Sequence, residues 1–334
     1  MTGYPKAVAE GWHPVATLAE LKASGKPLSR RLMDKPLVAF LTDKGPAVLV
    51  DRCPHRNMAL SNGKVRAGEI ECPYHGWRFG GDGRCTLTPG SEQPARHGAE
   101  ALPVAVAAGL VLTTLAPEPS PAPVLPYPIG VDGFDTFLWP VRSSRARLVD
   151  AIENLLDPAH PHFLHPGIVR SGSVRRPVDV TVRVAPTHAE AIYTENAQAS
   201  AWMPRLLEGQ RVTSIGRFFP PATGQVAFDG KSGLKLAITV LFVPEAQDRV
   251  RPFAHFATPK GVAPAFVKEA LLRAFHIPVL AQDQAALRKQ VDNIERFGGP
   301  RYAMGPLDLL FPAIQQLSNG ETPEERESRL VLKL

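Results

Sequence analysis

The sequence predicts an α+β protein in two parts: a small all-β unit, then a linker, then an antiparallel sheet accompanied by a long helix. Three observations carry this. Short strand-like runs separated by turn residues fill the first third of the chain. A proline-rich segment, APEPSPAPVLPYP from Ala116 to Pro128, interrupts it. Longer strand-like runs and a helical pattern from Ala263 to Phe297 follow. A chain of 334 residues is also long for a single core. The expected division is an N-terminal domain over 1–115, a linker over 116–128 and a second domain over 129–334.

The elements follow in order. PLVAFLTDKGPAVLVD is two apolar runs around Asp43-Lys44-Gly45-Pro46, which is hairpin punctuation. Further short runs lie at Glu69 to Cys72, Trp77 to Phe79 and Gly109 to Leu115. Past the linker, LVDAIENLLD places Leu148, Ile152, Leu155 and Leu156 at helical spacing. VDVTVRVAP, AEAIYTE, RVTSIGRFF and LKLAITVLFVPE then read as strands, with Gly and Pro between them. Pro278 is expected to start or kink the second half of the last helix.

Composition narrows the function classes. Hydrophobic content of 44% with 21% charged residues is that of a water-soluble globular protein. No run of about eighteen uncharged apolar residues marks a membrane span. The N-terminus lacks a basic stretch followed by an apolar one, so a cytoplasmic location with reduced thiols is expected. The net charge of +6 is scattered in small knots: Arg30 and Arg31, Arg142 to Arg147, and Arg175 and Arg176. Without a long basic run, nucleic acid is not the expected partner; an anionic substrate or acidic protein partner fits better.

Two of the three cysteines precede histidines, as Cys53-x-His55 and Cys72-x-x-His75 with sixteen residues between. Thiolate and imidazole both bind borderline metals, so zinc is open. Two thiolates and two imidazoles are also the ligand set of a Rieske [2Fe-2S] centre, whose neutral imidazoles raise its potential. Unrelated core cysteines and surface histidines are the plain alternative. Pro54 and Pro73 stiffen the two loops, and Gly76 admits close backbone approach. Cys85 lies outside the pattern and reads as a small buried hydrophobe.

A second cluster lies in ENLLDPAHPHFLHPG, with Asn154, Asp157, His160, His162 and His165. Non-heme Fe(II) sites use two histidines and a carboxylate. On a regular helix, His162 and His165 share a face better than His160 and His165, but Pro158 and Pro161 make a regular helix doubtful. Downstream, FHIPVLAQDQAALRKQ offers Asp283; Asp292, nine residues on, is the alternative, with a plain reading as a helix-surface acid.

C-P-H-R, C-P-Y-H-G-W with Phe79 beyond, and N-x-x-D-x-x-H-x-x-x-x-H together resemble the Rieske non-heme iron aromatic oxygenases, α-subunit type. Length and motif form look closest to the branch containing vanillate demethylase and dicamba monooxygenase. The resemblance implies a Rieske domain followed by a helix-grip catalytic domain, an antiparallel sheet curled around a long helix. It implies Cys53, His55, Cys72 and His75 as cluster ligands, and Trp77 as a screen against water. His160 and His165 carry over as mononuclear iron ligands, with His162 a spectator. Asp283 is the third ligand by a weaker match, because Gln282 precedes it where the branch has an acid, and R-K-Q follows where it has E-A-Q-Q. Asn154 is implied to lie near the iron. Asp157 is implied to link ligand histidines of the two metal centres across a subunit boundary, in a homotrimer with inter-subunit electron transfer. O₂ is the implied co-substrate. Electrons are implied to come from a separate reductase or ferredoxin fed by NAD(P)H; no dinucleotide fingerprint is present in this chain. The implied reaction is O- or N-demethylation of a small aromatic substrate by hydroxylation. Ring hydroxylation to a phenol or cis-diol is the alternative, and a non-enzymatic Rieske electron carrier the remote one.

Overall fold

The computed structural model describes residues 3–169, 177–194, 211–261 and 263–334. Arg175 and Arg176 lie outside these residues. The chain forms two compact units. One comprises Met1–Tyr4, Ala9–Val124 and Val243–Gln247; the other comprises Pro5–Val8, Leu125–Phe242 and Asp248–Leu334.

The first unit holds three small sheets. β1 (His13–Thr17) pairs with the hairpin of β9 (Val104–Ala107) and β10 (Leu110–Thr113). β2 (Leu28–Leu32), β3 (Lys35–Thr42) and β4 (Gly45–Val50) form the second sheet. β5 (Lys64–Arg66), β6 (Glu69–Glu71), β7 (Arg78–Phe79) and β8 (Cys85–Leu87) form the third. The β3–β4 hairpin closes on Thr42 opposite Gly45, so Asp43 and Lys44 alone make the turn. Val38, Phe40, Leu49, Leu60, Ile70 and Phe79 form a core that also encloses Cys53 and Cys72. A short helix, Leu18–Ser24, was not expected; Thr17 and Glu20 close a capping box at its start.

The second unit is built on a sheet that, among the described residues, has nine strands. Its order is β11 (Phe134–Pro140), β18 (Arg249–Pro259), β17 (Gly233–Ala246), β16 (Thr223–Gly230), β15 (Arg211–Phe219), β14 (His188–Thr194), β13 (Pro177–Ala185) and β19 (Arg326–Lys333), with β12 (Ser144–Arg145) beside β18. Alternation makes β13 one-sided: Val178, Val180, Val182 and Val184 are buried while Asp179 and Arg183 are exposed. These valines share one core with Ile152 and Leu156, with Leu272 and Leu287, and with Ile314 and Leu317, which belong to three helices. The helices are Leu148–Leu156, Ala265–Arg296 and Phe311–Ser318. The long one runs unbroken through Pro278, which costs one backbone hydrogen bond but does not divide it. Gly224 lets the first helix lie close to the sheet, since a Cβ there would stand 2.8 Å from Leu155 Cδ2.

Candidate metal centres and an apolar pocket

The two Cys/His loops are built alike. The Cys53 N–H donates to Met58 O at 2.8 Å, and the Asn57 N–H donates back to Cys53 O at 2.9 Å. The Cys72 N–H donates to Trp77 O at 2.8 Å, and the Gly76 N–H to Cys72 O at 3.1 Å. Each loop thus folds back on its cysteine and needs a left-handed residue four positions later. Asn57 has φ +61° and Gly76 has φ +70°. Asn and Gly are the residues that tolerate this region, which accounts for Gly76 in conformational terms.

The loops bring the four side chains together. Cys53 and Cys72 are 1% and 3% exposed and belong to one buried core cluster. The His55 and His75 rings lie 4.6 Å apart, edge to face. Trp77 stacks on His55 with planes 4° apart. Burial, then the neighbouring Cys72, pushes the Cys53 thiol up to about 11. Loss of solvent, then the adjacent His75 ring, lowers the pKa of His55, which favours the neutral imidazole that ligates metal. Two buried thiols with no cation to balance their ionised form fit a metal cluster, whose positive charge stabilises the thiolates. Cys85 is not in this group and is half-buried rather than buried. It sits on the outer strand β8, where its Sγ donates to Leu87 O at 3.5 Å.

The second cluster is shaped by three prolines. Pro158 forbids helical backbone at Asp157, which turns out with ψ 122° and ends the Leu148–Leu156 helix. Its freed carboxylate accepts the Ala159 and His160 N–H groups at 2.7 and 3.0 Å. Pro161 opens a single helical turn, Pro161–Leu164, and Pro166 follows His165. His160 and His165 therefore flank one turn, and their rings meet edge to face with centroids 5.3 Å apart. His162 lies inside the turn, apart from this pair.

Asp283 comes from the long helix to meet them. Its Oδ1 is 3.0 Å from His165 Nε2, 3.7 Å from His160 Nε2 and 3.2 Å from Asn154 Nδ2. The ligand atoms of His160, His165 and Asp283 all lie within 4.8 Å of one another, and among the described residues they are the one such group. Each histidine is turned the same way. His165 Nδ1 donates to Gln282 Oε1 at 2.7 Å, and His160 Nδ1 donates to the Asp157 carbonyl at 3.0 Å. Both Nε2 atoms are thereby left with lone pairs aimed at one carboxylate oxygen. That arrangement is repulsive unless a positive charge sits there, either a proton or a metal ion. Burial alone would lower the His165 pKa, but its hydrogen bonds to Asp283 and Gln282 raise it. The pKa of His160 is lowered, by burial first, against the pull of Asp283 and Asp157. A divalent metal fits this donor set.

Asp157 makes its imidazole contact through its main chain; its carboxylate is 3.7 Å from His160 Nδ1 and is committed to the backbone. Asp292 lies elsewhere, paired with Arg145, which also binds Asp248 and Glu295. Sequence reasoning missed Gln282 as a support for His165, treating it as a replaced acid; its place beside Asp283 was the available signal.

The trio opens on a cavity of about 250 Å³ whose walls are overwhelmingly apolar. Phe242 lines it. No lysine or arginine lines it among the described residues. An acidic pocket on another side of Asn154 contains Glu153, whose carboxyl is pushed up to about 7 by burial and by Asp308, Asp157 and Asp150.

A Cys₂His₂ quartet with both cysteines buried and a separate His₂Asp trio define a class with two metal centres. Residues 11–107 match the Rieske [2Fe-2S] domain, and residues 144–310, half the chain, match the vanillate O-demethylase oxygenase C-terminal domain. The chain belongs to the Rieske non-heme iron oxygenases. It is 37% identical over 157 residues to chlorophyllide a oxygenase, chloroplastic, of Chlamydomonas reinhardtii, covering 46% of this chain and 24% of that protein. It is 31% identical over 196 residues to the 3-chlorobenzoate-3,4-dioxygenase oxygenase subunit of Comamonas testosteroni, covering 54% of this chain and 43% of that one. The chain thus spans less than half the length of these curated relatives. Dicamba monooxygenase bound to dicamba has the same fold, with TM-score 0.78, 21% identity, and 94% and 97% of the two chains covered. The names of these relatives denote oxygenases, enzymes that incorporate O₂.

Proposed function

We propose that this chain is the terminal oxygenase component of a Rieske monooxygenase that hydroxylates an O- or N-methyl group of an aromatic substrate and so demethylates it. The observation that carries the reading is the convergence of His160 Nε2, His165 Nε2 and Asp283 Oδ1 in the wall of an apolar cavity. In this reading Cys53, His55, Cys72 and His75 hold the [2Fe-2S] cluster in a domain over 1–115. His160, His165 and Asp283 hold Fe(II) in a catalytic domain over 129–334, after the linker 116–128. When bound, the cluster relays single electrons and the iron activates O₂.

The remaining roles belong to the protein. Gln282 and the Asp157 carbonyl hold protons on the two Nδ1 atoms and keep both Nε2 atoms free to ligate. The Asn154 amide donates to Asp283 Oδ1 and fixes the carboxylate's orientation. Trp77 covers one face of His55. The apolar wall excludes water from the reacting carbon. A reductase or ferredoxin supplies electrons from NAD(P)H, and the assembly is a homotrimer in the cytoplasm. No helix among the described residues is long and apolar enough to cross a membrane.

Ring hydroxylation is the second reading, supported by the name of the 3-chlorobenzoate relative. A single turnover separates the two. The chemically reduced holoprotein is exposed to ¹⁸O₂ with methoxy-, N-methyl- and unsubstituted aromatic compounds, and products are read by mass spectrometry. Formaldehyde with a demethylated product is expected. A diol carrying both labelled atoms would replace the demethylase reading by the dioxygenase one.

A further inference from the structure

The cavity has an unusual division of polar groups. One end carries the His160–His165–Asp283 trio. About 10 Å away, two helical turns earlier on the same face of the long helix, stands His276. Its Nδ1 is 3.0 Å from the carbonyl of Leu272. A carbonyl only accepts, so Nδ1 carries the proton and Nε2 is an acceptor. The ring is held edge-to-face against Phe256 and Phe275, at 4.9 and 4.8 Å. Nothing among the described residues partners Nε2, which is not fully enclosed, and the His276 side chain lines the cavity. Ser144 and Gln284 also line the cavity, but a hydroxyl and an amide can each donate or accept, whereas Nε2 can only accept.

Among the described residues, two arginines close to the long helix are engaged elsewhere. Arg145 is bound by Asp248, Asp292 and Glu295. Arg273 is paired with Glu269 and lies over the Trp139 ring, 4.7 Å from its centre. A carboxylate placed among the apolar walls would lose its hydration with no basic side chain among the described lining residues to replace it. The His276 ring does not compensate, since burial lowers its pKa to about 4 and keeps it neutral.

We propose that this site takes an uncharged substrate with an apolar skeleton that offers one hydroxyl or N–H to Nε2 of His276, which sets which carbon reaches the trio. This rests on reading the cavity as the substrate site, and it replaces the anionic substrate expected from net charge. His276 is a specificity-determining residue, distinct from the metal-binding set.

The test is calorimetric binding of three probes with one skeleton to the iron-loaded protein: 4-phenylphenol, 4-methoxybiphenyl and biphenyl-4-carboxylate. The phenol is expected to bind about two- to tenfold tighter than the ether, as one buried hydrogen bond allows. The carboxylate is expected to bind at least ~100-fold more weakly than the phenol. His276→Leu should bring phenol and ether to equal affinity while leaving the ether's affinity and the iron content unchanged. His276→Gln, which keeps an acceptor, should retain the preference in part and serves if His276→Leu does not fold. Tightest binding by the carboxylate, a phenol-to-ether ratio unmoved by both variants, or binding of none of the probes would overturn the proposal. The same complexes are then carried through a single turnover. The expected binding order without any oxygenated product would sink the oxygenase reading and leave the His276 assignment standing. Products formed from carboxylates alone would do the reverse.

Discussion

The two candidate metal centres are assembled in opposite ways. The Cys/His quartet comes from two short loops 19 positions apart, each closed by the same pair of backbone hydrogen bonds around its cysteine. The His/His/Asp trio takes two ligands from one proline-bounded turn and the third from a helix 118 positions after His165. The first centre is written in local sequence. The second exists only when a helix packs beside a turn, and its orientation depends on neighbours such as Gln282 and Asn154. Local motifs are therefore secure guides to the first kind of site and incomplete guides to the second.

The comparison can be broken most sharply at the ligands. Cys72→Ala is expected to abolish the visible absorbance and electron-paramagnetic signal of the cluster and to destabilise the small domain that encloses it. His165→Ala or Asp283→Asn should remove the mononuclear iron, read by metal analysis, and leave the cluster spectrum intact. Asp292→Asn should leave both metals in place, and iron loss in that variant would transfer the third ligand to Asp292.

The supports come next. Gln282→Leu leaves the buried Nδ1–H of His165 without an acceptor and should weaken iron binding about 10- to 100-fold in a chelator competition. Gln282→Glu should bind iron at least as well as the parent chain. Equal iron affinity for all three would show that packing alone orients His165.

Glu153 gives a pH test. Its carboxyl titrates near 4.5 in the unfolded chain and near 7 in the folded one, raised by burial first and then by Asp308, Asp157 and Asp150. As pH rises through that window the unfolded state releases its proton first, so stability falls between pH 4.5 and 7 and stays lower above. Glu153→Gln should remove this loss, on the order of 2 kcal/mol, and raise Tm at pH 8 but not at pH 4.5. Circular-dichroism melts at both pH values decide it.

The smallest expected effect compares the two Cys/His loops directly. Gly76→Ala should cost about 1–2 kcal/mol, because φ +70° is strained for alanine and its Cβ would stand 3.1 Å from Pro89. Asn57→Gly, at the equivalent position, should be close to neutral in the same denaturant titration. A cost at Asn57 as large as that at Gly76 would assign its value to the side-chain contact with Arg52 at 2.6 Å.

Much of the fold was legible. The β3–β4 hairpin, the Leu148–Leu156 helix, strands β13, β14, β15 and β17 and the long C-terminal helix all stand where periodicity and Gly/Pro punctuation put them. What escaped were strands whose pattern hides their role. β16 carries two glycines, one of them making room for Leu155, and β18 holds two prolines although it lies between β11 and β17. β19 is a sheet-edge strand with a mostly polar, exposed sequence. Tertiary pairing overrode weak local preference in each.

The sequence by itself determined the ligand types, their spacing within each motif and the turns that present them. Proline and left-handed residues act over three to five positions and need no partner from elsewhere. Only the tertiary structure decided that Gln282 backs His165, that Asp157 reaches His160 through its carbonyl, and that His276 shares an apolar cavity with the trio. The reason is physical. Hydrogen bonds and cavities join residues more than a hundred positions apart, and a sequence records such neighbours only once its helices and sheet have packed.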